Sequence, residues 1–303
     1  MKKRISALAV FILLLSLCFS LSSCLDFLNT ENQSFTLDSV PEFDGRTPYV
    51  AINDNKPFFT KSEIVSTSYE EYAPLDYLGR CGAAIACVGR DIMPTEDRGS
   101  IGQVKPSGWH TVKYDIVDGK YLYNRCHLIG YQLTGENANK GNLITGTRYL
   151  NIEGMLDFEN MIADYVKDTG NHVMYRVSPI FKDSNLLASG VLMEAYSVED
   201  NGAGIEFCVY AYNAQPGIVI DYKTGNSALS GEEIKPDDNE ESSVPDDVEG
   251  ESELYVLNTN SKKFHKSDCG SVDSIAETNR EEREATRDAL IEEGYSPCGS
   301  CKP

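Results

Sequence analysis

Short apolar runs separated by turn residues dominate the middle of the chain. Residues 83–88 are apolar and bounded by Gly82 and Gly89, which predicts a strand. Residues 173–181, 191–198 and 205–212 are β-branched and aromatic with partial alternation, and Asn, Asp, Ser and Gly turns separate them. A further short strand is expected at residues 218–222, and residues 98–109, rich in Gly, Pro and Lys, read as a loop. One segment has another period. Met155, Phe158, Glu159, Ile162, Tyr165 and Val166 fall at helical spacing, and Gly170 with Asn171 stops the helix. Gly154 leaves its start open, so Asn151 sits in the first turn or just before it. Strands on both sides of one long helix predict an α+β domain with a mostly antiparallel sheet.

The two ends break this pattern. Lys2, Lys3 and Arg4 precede an apolar run over residues 7–21, shorter than the roughly 20 apolar residues a spanning helix needs. Residues 1–23 therefore read as a secretory signal. The ending Leu21, Ser22, Ser23, Cys24 resembles the lipobox of bacterial lipoproteins, which implies lipidation of Cys24, anchoring to a membrane and work outside the cytoplasm. A plain signal peptide with an incidental Cys would give export alone. Residues 24–40 read as a polar tether. Residues 227–253 carry Glu232, Glu233, Asp237, Asp238, Glu240, Glu241, Asp246, Asp247, Glu249 and Glu251 around Pro236 and Pro245, the composition of an acidic disordered linker. A main block at 41–226 and a small tail at 254–303 remain.

The net charge of −20 excludes bulk, genome-like affinity for nucleic acid, which needs clustered Lys and Arg. An enzyme that holds a few phosphates briefly stays compatible with it. Arg90, Arg98, Lys105, Lys113, Arg125, Lys140 and Arg148 are candidates for such a local patch.

The candidate chemistry lies in Tyr123-Asn124-Arg125-Cys126-His127-Leu128-Ile129 and in Asn142, Asn151 and Glu159 downstream. A His titrates near neutrality and serves as a general base. An Asn carbonyl is a neutral oxygen ligand suited to Mg²⁺, which keeps most of its waters. Asn142 lies nine residues before Asn151 and Glu159 eight after it, slightly more than two helical turns. Singly, each has an ordinary structural reading: a packed His, a solvated helix Glu, a turn Asn. A Cys126 nucleophile paired with His127 is disfavoured, because neighbours on a strand point to opposite faces. His110 and His172 read as structural or loop contacts.

The block from about residue 75 to 222 resembles the DNA/RNA non-specific endonucleases, the ββα-metal-finger nucleases, in particular secreted and surface forms from Gram-positive bacteria. The family signature Asp-Arg-Gly-His stands here as Asn124-Arg125-Cys126-His127, and the family's Asn, Asn and Glu match Asn142, Asn151 and Glu159. Two positions depart from it: Asn124 replaces the usual acid and Cys126 the usual Gly. The resemblance implies a ββα-metal motif on the antiparallel core. It implies His127 as general base and Asn151 as ligand of Mg²⁺ or Mn²⁺. Asn142 and Glu159 would support water and phosphate geometry, and Arg98 or Arg125 would neutralise transition-state charge. The cation would stabilise the leaving 3′ oxygen, giving a 5′-phosphate product. DNA is then the expected substrate and RNA a second one, and no obligate protein partner is called for. The rival class is a non-catalytic surface protein of the same fold that binds nucleic acid or protein.

The tail places His265 and Cys269 ahead of a helical stretch expected at 272–293, then Cys298-Gly299-Ser300-Cys301. Cys-x-x-Cys with Gly inside is a common half of a structural Zn²⁺ site, and about 50 residues can hardly bury a core without a staple. The tail resembles the small metal-binding domain of the Ada DNA-repair protein, with His265 where that site has a fourth Cys. A disulfide, Cys298–Cys301 or Cys269–Cys298, is the alternative.

Overall fold

The computed structural model describes residues 35–235 and 252–303. The expected signal, Cys24, most of the tether and most of the acidic linker lie outside the described residues. The chain divides into two units, Met1–Ser39 and Val40–Pro303. Of the first, the described part is a 3-10 turn at Leu37–Ser39. All strands and α-helices of the described residues belong to the second.

Strands β1 (Tyr49–Ala51), β2 (Tyr69–Tyr72) and β3 (Ala84–Val88) come first. β4 (Tyr123–His127) and β5 (Leu143–Thr147) pair with each other and enclose a short helix, α1 (Tyr131–Thr134). The long helix α2 (Leu156–Thr169) leads into β6 (Val173–Ile180), β7 (Gly190–Ser197) and β8 (Glu206–Tyr212). The main sheet runs β1-β8-β7-β6-β3-β2, and every neighbouring pair is antiparallel. This is the α+β architecture that the alternation of short strands around one helix predicts. β1 and β2, both edge strands, carry no such signal.

The period of two decides which face meets the helix. Ala84, Ala86 and Val88, then Val173, Tyr175 and Val177, Val191, Met193 and Ala195, and Phe207, Val209 and Ala211 form one buried face. α2 lays Phe158, Ile162, Ala163 and Val166 on it, and Cys126 and Ile144 of the β4–β5 pair join the same core. On the opposite face Arg176 and Glu194 stand directly across from each other. Glu194 is 1% exposed and accepts from Arg176 at 2.8 Å and from the Phe58 amide at 2.7 Å, while Arg176 also reaches Glu63 at 2.8 Å. A carboxylate this buried persists because its oxygens are all but used up in hydrogen bonds. A smaller core of Val117, Leu122, Tyr123, Leu187 and Ile218, flanked by Trp109, lies where the β9 (Ile218–Ile220) and β10 (Ser227–Leu229) pair reaches back towards β4.

The tail folds as β11 (Glu253–Asn258), β12 (Lys263–Lys266), β13 (Arg280–Ala285), a one-turn-and-a-half helix α3 (Arg287–Glu292) and β14 (Ser296–Pro297), in the sheet order β13-β11-β12-β14. The helix expected over 272–293 is thus mostly absent. Residues 280–285 are good helix formers by composition, but they lack an apolar stripe, and their exposure alternates residue by residue. β11 offers a free edge, and pairing with it outweighs a weak local preference. Helix begins only after Thr286, whose hydroxyl caps the Ala289 amide at 3.1 Å. The tail does not bury its apolar face alone. Tyr255, Leu257, Phe264, Leu290, Ile291 and Tyr295 close around Leu156 and Ile152, which belong to the main block.

Across the β4–β5 pair, a Cβ added at Gly146 would lie 2.5 Å from Cys126 Cβ. Gly146→Ala is therefore expected to cost about 1–3 kcal/mol, read as a lower urea midpoint, and adding Cys126→Gly should recover part of it. An unshifted midpoint would contradict this packing.

Candidate active site

β4, β5 and the helical segment after them form a ββα unit. β5 leads through Tyr149 into a π-helical turn, Leu150–Met155, which continues into α2. The wide turn carries Asn151, and such π turns often mark functional sites. Gly154 lets it approach the sheet: an added Cβ would meet Leu150 Cδ1 at 3.2 Å and Ala211 Cβ at 3.3 Å.

His127 ends β4 and is buried. Its Nε2 lies 2.8 Å from the carbonyl of Asn137. A carbonyl only accepts, so Nε2 carries the proton and Nδ1 the lone pair. Burial, then the nearby Arg98 guanidinium, push its pKa down to about 3, against the smaller upward pull of the Asn137 carbonyl. The ring is neutral across the physiological range, the protonation state a base requires.

Asn142 is completely buried, and both ends of its amide are spent on one residue. Oδ1 accepts from the Ile129 amide and Nδ2 donates to the Ile129 carbonyl, each at 2.9 Å. Its backbone carbonyl also accepts from Leu128 at 2.8 Å. Asn142 thus braces the chain just beyond His127 and turns no free amide toward a substrate.

Glu159, also buried, accepts from the Gly130 amide at 2.8 Å. A Cβ at Gly130 would sit 2.5 Å from its carboxylate, so only glycine admits this contact. Burial raises the Glu159 carboxyl to about 8, partly offset by that amide. Asn151 Oδ1 lies 3.1 Å from the thiol of Cys126, which also touches Met155 Sδ at 3.6 Å. Burial, then Glu159, raise the Cys126 thiol, so it stays protonated and donates to Asn151 rather than acting as a nucleophile. Asn124 shares the Cys126 face of β4 by strand alternation. Its Oδ1 is buried without a hydrogen-bond partner.

The structure therefore gathers Asn151, Cys126 and Glu159 on one side of β4, while His127, the next residue along, turns to Asn137 and Arg98. Arg125 donates to the Val104 carbonyl and stacks 4.1 Å over Trp109. Three patch candidates serve the fold instead. Arg90 bonds the Val166 and Lys167 carbonyls at the end of α2, Lys113 lies 4.3 Å over Tyr121, and buried Arg148 faces Asp118 at 3.5 Å. His110 bonds the Thr224 carbonyl at 2.9 Å and His172 pairs with Glu199 at 2.6 Å, both contacts within loops. Reasoning from residue types missed the Asn137 carbonyl, which carries no side-chain signal. It also missed Gly130, whose one trace is a glycine directly after the Leu128-Ile129 run.

In the tail, ligand atoms of His265, Cys269, Cys298 and Cys301 all lie within 4.8 Å of one another. His265 Nδ1 is 3.6 Å and Cys298 Sγ 4.0 Å from Cys269 Sγ, and the described cysteines are all free thiols. Although burial alone would raise the Cys298 thiol, the Cys301 and Ser300 amides bring it down to about 7.

Residues 60–199 match the family described as DNA/RNA non-specific endonuclease. A curated deoxyribonuclease of Streptococcus dysgalactiae subsp. equisimilis is 30% identical over 146 residues, 46% of this chain, and the chain spans 43% of that protein's length. The crystal structure of NucA from Streptococcus agalactiae with magnesium ion bound superimposes with a TM-score of 0.54 at 26% identity, over 60% of this chain and 87% of that one. NucA from the same organism with no metal bound shares the fold with a TM-score of 0.52 at 24% identity, over 65% of this chain and all of that one, 100%. Residues 60–199, which contain this ββα unit, thus match the DNA/RNA non-specific endonuclease family, and the nuclease relatives and structures are similar to this chain over the same domain.

Proposed function

We propose that the main block, residues 41–226, is a metal-dependent, largely sequence-non-specific endonuclease that hydrolyses phosphodiester bonds of DNA, and of RNA as a second substrate. The observation that carries this reading is a buried neutral imidazole next in the chain to the Cys126–Asn151 contact. The bound magnesium of the NucA structure supports the choice of cation.

The oxygen donors fit a hard cation. Asn151 Oδ1, the unpartnered Asn124 Oδ1 and the Glu159 carboxylate share one side of β4. When bound there, Mg²⁺ or Mn²⁺ supplies charge stabilisation at the phosphate and at the leaving 3′ oxygen. Asn151 would hold the ion, and Glu159, freed of its proton, would orient a water. His127 takes a proton at Nδ1 from the attacking water. A base with a ground-state pKa near 3 gains strength once an anionic phosphate lies beside it, because a neighbouring negative charge favours imidazolium. Arg98, already beside His127, and Arg125, stiffened by Trp109, are placed to neutralise charge building on the phosphate. Asn142 keeps the backbone after His127 in register.

In the tail, His265, Cys269, Cys298 and Cys301 hold Zn²⁺. Their mutual spacing suits a tetrahedral ion with metal–sulfur bonds near 2.3 Å. The signal and Cys24 put the protein outside the cytoplasm, anchored to the membrane by lipid.

Three outcomes test this reading. His127→Ala and Asn151→Ala should each lower metal-dependent plasmid cleavage by about 10²–10⁴-fold while leaving circular dichroism unchanged; undiminished cleavage by either rejects its role. Because the Glu159 carboxyl is held at about 8, protons compete with Mg²⁺ below that pH, so affinity should rise with pH up to about 8 and then level. Glu159→Gln should flatten that profile, measured by calorimetric titration, and an unaltered slope would remove Glu159 from the site. Finally, native mass spectrometry should find one zinc per chain, lost in Cys298→Ser; a metal-free tail, or a disulfide mass, would dismiss the zinc assignment.

A further inference from the structure

The turn and helix that carry the proposed catalytic ligands have two neighbouring stripes. Asn151, Met155 and Glu159 repeat every four residues and face β4: Asn151 and Met155 touch Cys126, and Glu159 accepts from Gly130. Ile152, Leu156 and Asn160, each one residue further on, face the tail. Leu156 is 4% exposed, and it and Ile152 pack in the cluster of Tyr255, Leu257, Phe264 and Leu290. Asn160 Nδ2 donates to the Gly294 carbonyl at 3.1 Å, and its Oδ1 accepts from Gln132 of α1 at 2.9 Å.

The tail strands join that contact to the Cys/His cluster through alternation. On β11 and β12, Tyr255, Leu257 and Phe264 face the main block, whereas Val256 and His265, in cross-strand register, face the other side. There Val256 packs with Cys269, Val272 and Cys298. The Cys298 amide donates to the Phe264 carbonyl at 2.9 Å. One residue thus separates a zinc ligand from a side chain packed on the catalytic segment. Arg287 of α3 adds a polar clasp to Asp118, which also faces Arg148.

We propose that the zinc-loaded tail is a positioning domain for the nuclease centre, holding the Leu150–Met155 turn through Ile152, Leu156 and Asn160 so that zinc in the tail sets the affinity of Asn151 and Glu159 for Mg²⁺. This rests on the metal-dependent reading of the ββα unit. A π turn has a wider backbone than the helix it leads into; the Thr147 hydroxyl caps its first amide, that of Leu150, at 3.0 Å, and the rest of the turn depends on packing from outside. The tail supplies that packing, and the metal orders the strands that deliver it.

The test uses the full chain. Zinc is removed with a zinc-selective chelator under excess Mg²⁺, and Mg²⁺ binding is followed by calorimetry alongside amide hydrogen exchange over residues 150–160. Zinc removal should weaken Mg²⁺ binding at least fivefold and speed exchange in the turn, and added zinc should restore both. Identical Mg²⁺ binding and exchange with and without zinc overturn the proposal. Should the zinc-free chain unfold as a whole, Leu156→Ala and Asn160→Ala keep the Cys/His set and cut only the contact. Each is expected to weaken Mg²⁺ binding at least twofold with one zinc still bound, and unchanged binding in both overturns the proposal equally. Asn151→Ala separates the two layers. If it leaves Mg²⁺ binding intact, the underlying reading of the site fails; if it abolishes binding while zinc removal changes nothing, the tail's role alone fails.

Discussion

One buried amide holds the centre of this molecule together. Asn142 grips Ile129 by both its N–H and its carbonyl, so the start of β5 fixes the chain leaving β4. Two residues upstream lies His127. One residue downstream lies Gly130, whose amide meets Glu159 of α2. Buried imidazole, brace and helix carboxylate are thus tied to a single peptide. An Asp in place of Asn142 would offer two acceptors where one donor is required, setting an oxygen against the Ile129 carbonyl in a fully buried site. The amide is irreplaceable for the geometry, although it faces nothing that reacts.

Desolvation then sets the electrical character of the site. Burial keeps His127 uncharged by lowering it and Glu159 uncharged by raising it. The centre of a chain with net charge −20 therefore repels an approaching phosphate less than the overall figure suggests. Under the proposed reading, a cation and a phosphate arriving together would compensate one another's charge in so buried a site.

Much of the main sheet was legible in the sequence because β6, β7 and β8 are rich in the β-branched and aromatic residues that a strand buries. One face meets α2 and most of the other is covered too, so their alternation is only partial. β2, Tyr-Glu-Glu-Tyr at a sheet edge, has little to bury and so no pattern to read. The order His127, Asn142, Asn151, Glu159 was visible through its spacing and family likeness. The division of labour among them was not, because it depends on backbone groups: the Asn137 carbonyl, the Ile129 peptide and the Gly130 amide. The tail misled for a related reason. Residues 280–285 form a strand only because β11 lies beside them, which no local propensity encodes.

The outer strand β2 has one more bearing on how the protein behaves in company. Its register on β3 leaves Glu70 and Glu71 exposed at the rim of the sheet. A strand from a neighbouring copy would have to add against two carboxylates, and bare rims of this kind otherwise recruit further strands. The β2 rim is in this way closed to growth, so copies that crowd together would not fuse along that edge.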